Sequence, residues 1–132
     1  MKVLVVDDNE SLAAAIQMML EMEGLEVVSA KDGIEGYSAY LRFEPDLIIT
    51  DIQMPRKNGL EMMVEIRTHN PMIKTIYMSG DIHVFNQHLE EEKLRYPVSC
   101  FKKPFALKSL RELVVEPFIK GDRFIVRPGK VV

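Results

Sequence analysis

Five side chains stand where short stretches of the chain stop: Asp7 and Asp8 after residues 3–6, Asp51 after 47–49, Ser79 after 75–78, and Lys103 after 98–102. A carboxylate next to a buried strand is costly unless something ionic satisfies it. Taken alone, Asp51 reads as a helix N-cap or turn residue. Brought together, the five have a chemistry. Three carboxylates at one place repel one another and can share a divalent cation. An all-oxygen set suits magnesium, which takes one or two carboxylates and keeps several waters. Asp51 is then a carboxylate nucleophile able to form an acyl phosphate. Phosphoryl transfer asks mainly for positioning and for neutralising charge on the equatorial oxygens. Lys103 offers a compact positive charge and Ser79 a hydroxyl, with Gly80 expected to keep the approach open.

Composition limits the alternatives. The 132 residues fit one domain large enough for a real core. Seventeen basic against twenty acidic residues give a net charge of −3, so no overall field draws the chain to nucleic acid or anionic membrane. Residues 3–6 are too short for a signal-peptide core or a membrane span. The single cysteine, Cys100, excludes an internal disulfide framework and fits a reducing compartment, so a cytoplasmic location is expected.

The elements that must position the five residues alternate along the chain. Strands are expected at 2–6, 25–30, 47–49, 75–78 and 98–102. The run 47–49 reads as a strand covered on both faces, because it lacks polar alternation. A helix over 10–23 places Leu12, Ile16, Met19 and Leu20 on one face, with Asp8 or Asn9 as its cap and Gly24 past its end. Asp32 caps a second helix over 33–41, in which Gly36 should cost about 1 kcal/mol relative to alanine unless another backbone packs closely there. Asn58 caps a third, with Leu60, Met63, Val64 and Ile66 inward. Residues 82–96 are mostly polar, helical near 89–95, with a Glu91–Arg95 pair and a solvated run Glu90-Glu91-Glu92. A last helix over 106–116 turns Leu107, Leu110, Leu113 and Val114 inward.

Such alternation with short connections means a doubly wound α/β fold, a five-stranded parallel sheet with helices on both faces. Ligands bind such sheets beyond the carboxyl ends of the strands, where the winding reverses. Asp7, Asp8, Asp51, Ser79 and Lys103 all stand at those ends. That convergence outweighs the turn-residue reading of Asp51.

With these residues in place, the chain resembles the receiver domains of two-component response regulators. The matching pieces are Val5-Val6-Asp7-Asp8-Asn9, Pro45 to Pro55 around Asp51, Asn58-Gly59, Ser79-Gly80 and Lys103-Pro104-Phe105, spread in order over residues 1 to about 116. The resemblance implies the flavodoxin-like strand order 2-1-3-4-5. It implies that Asp51 accepts a phosphoryl group from a phosphohistidine on a sensor kinase or phosphotransfer protein. Asp7, Asp8, Asp51 and the backbone carbonyl of Gln53 would hold Mg²⁺ or Mn²⁺, Lys103 would pair with the carboxylate and then the phosphate, and Ser79 would turn inward. It also implies a cis Lys103–Pro104 bond, and an output surface of strand 4, helix 4, strand 5 and helix 5 that meets a downstream protein. Lys102 competes for the lysine role, but alternation sends 102 and 103 to opposite sides and Lys103 directly precedes the proline.

The chain departs from the family in places. An aromatic three residues before the pocket lysine is common, and here that position is Cys100. Either the switch works without a ring, or a bulge presents Phe101 instead. His69, His83 and His88 read as surface residues, since 83 and 88 do not share a helix face as metal ligands at i,i+4 would. The receiver is expected to end near residue 117. The stretch 118–132 is too short for a DNA-binding domain, and a hairpin turning at Gly121-Asp122, docking, homodimer formation and a flexible end all stay open. The expected function is that of a phosphorylatable switch, no enzyme apart from its own phosphorylation and dephosphorylation. The alternatives are a phosphorylation-independent interaction module and, on the same fold, a flavodoxin-like cofactor binder or small hydrolase.

Overall fold

The computed structural model describes residues 1–119 and 130–131. Strands β1 (Lys2–Val6), β2 (Glu26–Ala30), β3 (Leu47–Asp51), β4 (Lys74–Ser79) and β5 (Val98–Lys102) alternate with helices α1 (Glu10–Met22), α2 (Gly33–Phe43), α3 (Gly59–Ile66), α4 (Asn86–Arg95) and α5 (Leu107–Ile119). Every ladder is parallel and the order is β2-β1-β3-β4-β5, with a short β6 (Lys130–Val131) added beside β5. The expected order holds, and β6 is an addition that no sequence pattern announced. The hairpin turn considered at Gly121-Asp122 lies outside the described residues.

Alternation along the strands splits the core into two layers. Val3, Val5, Leu47, Ile49, Ile76, Met78 and Phe101 face Ile16 and Leu20 of α1 and Leu110 and Val114 of α5. Leu4, Val6, Ile48, Tyr77 and Cys100 face Ala39 and Tyr40 of α2, Leu60, Met63 and Ile66 of α3, and Leu89 of α4. All of β3 is buried, which is why its sequence shows no alternation.

The caps form as the sequence requires. Asn9 Oδ1 accepts from Leu12 N, Asp32 Oδ1 from Glu35 N, and Asn58 with Glu61 closes a capping box. Gly24 takes the left-handed conformation past α1, at φ +88°. A Cβ at Gly36 would meet the Met62 sulfur at 2.5 Å and the Val6 methyls, so what crowds α2 there is side chains of α3 and β1 rather than another backbone.

Several expectations are corrected. Val64 is 60% exposed, and Met62 is buried in its stead. The cap at Asn58 sets the phase of α3, and Val64 falls just past the arc through Leu60, Met63 and Ile66. α5 runs on to Ile119 although Pro117 removes one backbone donor from its last turn. α4 starts at Asn86 after a 3₁₀ turn, and the ion pair along it is Lys93–Glu90 at 3.2 Å. Glu90 and Glu91 are exposed, but Glu92 is buried against Arg67 and Tyr77. The run of acids hid this, because one helical register turns residue 92 inward while Glu90 and Glu91 stay in water.

Candidate functional site

The site lies at the carboxyl ends of β1, β3 and β5. Asp7 follows β1 directly and is 1% exposed; its amide donates to the Ala30 carbonyl, and its Oδ1 accepts from Asn9 N at 2.9 Å. Asp51 is the last residue of β3 and is 6% exposed. The chain after it is pinned by Ile52 N donating to Met78 O and Gly59 N donating to Ile52 O. Thr50 Oγ1 donates to the Asp51 carbonyl at 2.8 Å.

Gly59 is required by this close fit. A Cβ there would run into the carbonyl oxygen of Asp51, a backbone atom that cannot swing aside. Gly59→Ala is therefore expected to destabilise the fold by about 1–2 kcal/mol, the lower half of the usual overpacking cost, measured by urea unfolding. An unchanged midpoint would show that α3 can move off the strand end.

Lys103 joins the acids. Its Nζ lies 2.8 Å from Asp7 Oδ2 and 3.3 Å from Asp51 Oδ2. Its amide donates to the Ser79 carbonyl, and the Lys103–Pro104 peptide is cis. Lys102 is exposed, as strand alternation requires. One oxygen each from Asp7, Asp8 and Asp51 lies within 4.8 Å of the others, with Asp8 on the solvent side. An all-oxygen cluster with one open flank fits a hard cation that keeps part of its water.

These neighbours set the proton affinities. Burial, then the charge of Asp7, pushes the Asp51 carboxyl up to about 6, with Asp8 adding and Lys103 opposing. Burial alone would lower the Lys103 ammonium, yet its hydrogen bond to Asp7 and the charges of Asp51 and Asp7 leave it raised. Asp51 is a poised carboxylate and Lys103 a fixed cation.

The remaining sequence-derived residues divide. Ser79 ends β4, fully buried, and its Oγ accepts from Asp81 N at 3.1 Å, inside its own loop. Gln53 lies exposed in the loop after β3. A Cβ at Gly80 would meet nothing within 4 Å, so the space beside Ser79 is open there. β5 continues in register through Cys100 and Phe101, without a bulge. Phe101 is committed to the other face, its ring 5.1 Å from Phe105. Cys100 faces the α4 side, and burial pushes its thiol up to about 11, which keeps it an unreactive core residue. The three histidines are exposed, and His69 shares a 2.8 Å hydrogen bond with the Tyr37 hydroxyl. Missed by sequence reasoning was the buried set Arg67, Tyr77 and Glu92, since a lone arginine at a helix end carries no pattern.

The chain is similar to known proteins in sequence and in fold. The sequence is 33% identical over 88 residues to the alkaline phosphatase synthesis transcriptional regulatory protein PhoP of Bacillus subtilis, covering 67% of this chain and 37% of that one. It is 24% identical over 115 residues to sporulation initiation phosphotransferase F of the same organism, covering 86% and 90%. The chain spans little more than a third of the length of longer relatives such as PhoP. The structure of the chemotaxis response regulator CheY4 of Vibrio cholerae superposes with a TM-score of 0.73 at 26% identity, covering 84% of this chain and 92% of that one. No helix among the described residues is long and apolar enough to cross a membrane. The family model for the response regulator receiver domain matches residues 3–115, and the chain belongs to that family.

Proposed function

We propose that Asp51 accepts a phosphoryl group from a phosphohistidine on a sensor kinase or phosphotransfer protein, and that the modified domain signals through contact with a downstream protein. One observation carries the reading: a single ammonium, Lys103 Nζ, bridges the buried carboxylates of Asp7 and Asp51 beside a three-oxygen cation site. An Asp51 oxygen attacks phosphorus, the phosphorus–nitrogen bond breaks, and the imidazole leaves with its bonding pair. Lys103 stays beside the new phosphate and balances its charge. Ser79 gives up the Asp81 amide and turns its hydroxyl to a phosphoryl oxygen. Asp7, Asp8, Asp51 and the Gln53 carbonyl would hold Mg²⁺, or Mn²⁺ in its place, and the cation would neutralise charge on the transferring group.

The receiver unit on this reading is residues 1–117, with 118–132 an extension of it. Acetyl phosphate with Mg²⁺ is expected to add one phosphoryl group by intact mass, mapped to Asp51 and lost in Asp51→Ala. A wild-type protein left unlabelled, under conditions that label another receiver, would favour the phosphorylation-independent module. Where a flavodoxin-like site needs a phosphate cradle after β1, this chain places Asp7 and Asp8, which argues against a cofactor binder.

A further inference from the structure

α4 has little apolar hold on the sheet. Its buried residues are Leu89, Glu92 and Lys93, and Leu94 is 85% exposed. What seats it is polar. Arg67, the C-cap of α3, is 7% exposed, and its Nη1 lies 2.5 Å from Glu92 Oε1. The Tyr77 hydroxyl donates to the same Oε1 at 2.6 Å and accepts from Arg67 Nη1 at 3.3 Å. Arg67 Nη2 donates to Thr75 Oγ1 at 3.2 Å, and the guanidinium stands 4.1 Å from the Tyr96 ring centroid. A buried pair of this kind resists the loss of either partner, because the survivor would be a charge without water.

Two rigid elements run from this set to the candidate phosphorylation site. α3 begins with Gly59 against the Asp51 carbonyl and ends at Arg67. β4 carries Thr75 and Tyr77 on the same face as Ser79, so Tyr77 stands two residues, about 7 Å, behind the Ser79 position. Tyr77 is opposite Cys100 in the ladder, and both lie in the core layer that holds Leu89 of α4. α3 and β4 therefore give a shift at Asp51 or Ser79 a route to α4.

We propose that Arg67, Tyr77 and Glu92 form a latch that seats α4 and passes the phosphorylation state of Asp51 to it. This rests on Asp51 being the phosphoacceptor. The three are positioning residues and touch no reacting atom. Hydrogen exchange over residues 86–95 tests the latch, with and without Mg²⁺ plus beryllofluoride as the phosphoryl mimic, alongside intact-mass labelling by acetyl phosphate. Arg67→Met/Glu92→Leu removes both charges together and so avoids stranding one, and Tyr77→Phe removes the hydroxyl and with it the two hydrogen bonds to Glu92 and from Arg67.

The wild type is expected to change its exchange in α4 by about fivefold or more on adding the mimic, the low end of ordinary coupling. In the double variant that response should fall below about twofold while Asp51 still labels, and Tyr77→Phe should lie between. A purely structural role would alter the exchange before the mimic is added, but not the response to it. An undiminished response in the double variant overturns the latch, as does a labelled wild type with no α4 response. An unlabelled wild type overturns the phosphoacceptor reading, and the latch with it.

Discussion

Lys103→Met is expected to slow phosphorylation of Asp51 by about 100-fold or more, the usual loss when one preorganised positive group is removed from a charge-developing site. It should also destabilise the protein at neutral pH. The wild-type ammonium offsets two carboxylates that are almost fully buried, Asp7 and Asp51, and methionine leaves them facing each other with no cation. Breaking a buried pair costs about 3–5 kcal/mol, and because the lysine side chain is 21% exposed a loss of about 2–3 kcal/mol is expected. Asp51→Asn in the same background should recover part of that loss, since it removes one of the repelling charges. A double-mutant cycle from urea unfolding at pH 7 checks this. If Lys103→Met unfolds at the wild-type midpoint, the ammonium does not hold the acids together.

The second large effect belongs to Asp51, in the metal-free protein. Its carboxyl is raised in the fold to about 6 from an ordinary 3.8, with burial as the chief cause. Above pH 6 it is ionised in both folded and unfolded chains, and the fold carries the full cost of the buried charge. Between 6 and 3.8 the folded chain binds the extra proton, so stability rises as pH falls through this window. Asp51→Asn never carries the cost. It should therefore be more stable than the wild type at pH 7.5 by about 2 kcal/mol, allowing for solvent at the open flank. The gap should shrink to about a third of that by pH 4.5. Mg²⁺ should raise the wild-type melting temperature, and raise it less in the variant, because a ligand that binds only the folded state stabilises it. Melting curves at both pH values, with EDTA and then with Mg²⁺, read all three effects. A gap that stays constant from pH 7.5 to 4.5 would mean that the acids are not crowded.

The sequence alone settled a good deal. Strand and helix succession followed from apolar runs and caps whose physics is local: Asn9, Asp32 and Asn58 each satisfy amides three residues on, wherever the rest of the chain goes. The place of Asp7, Asp51 and Lys103 at strand ends followed from those same runs, and a parallel sheet must gather its strand ends at one rim. Lys103 over Lys102 was legible too, because strand alternation has a fixed period of two.

Tertiary structure decided what depends on partners far apart in the chain. That Ser79 Oγ accepts from the Asp81 amide, which face holds Phe101, and that Val64 stays in water while Met62 is buried are matters of packing phase. Glu92 shows the limit most clearly. In sequence it is one acid in a solvated run; in the fold it meets Arg67, 25 residues earlier, and Tyr77, 15 residues earlier. A buried charge is made tolerable only by a counter-charge brought to it through the fold, and no local pattern along the chain records that meeting.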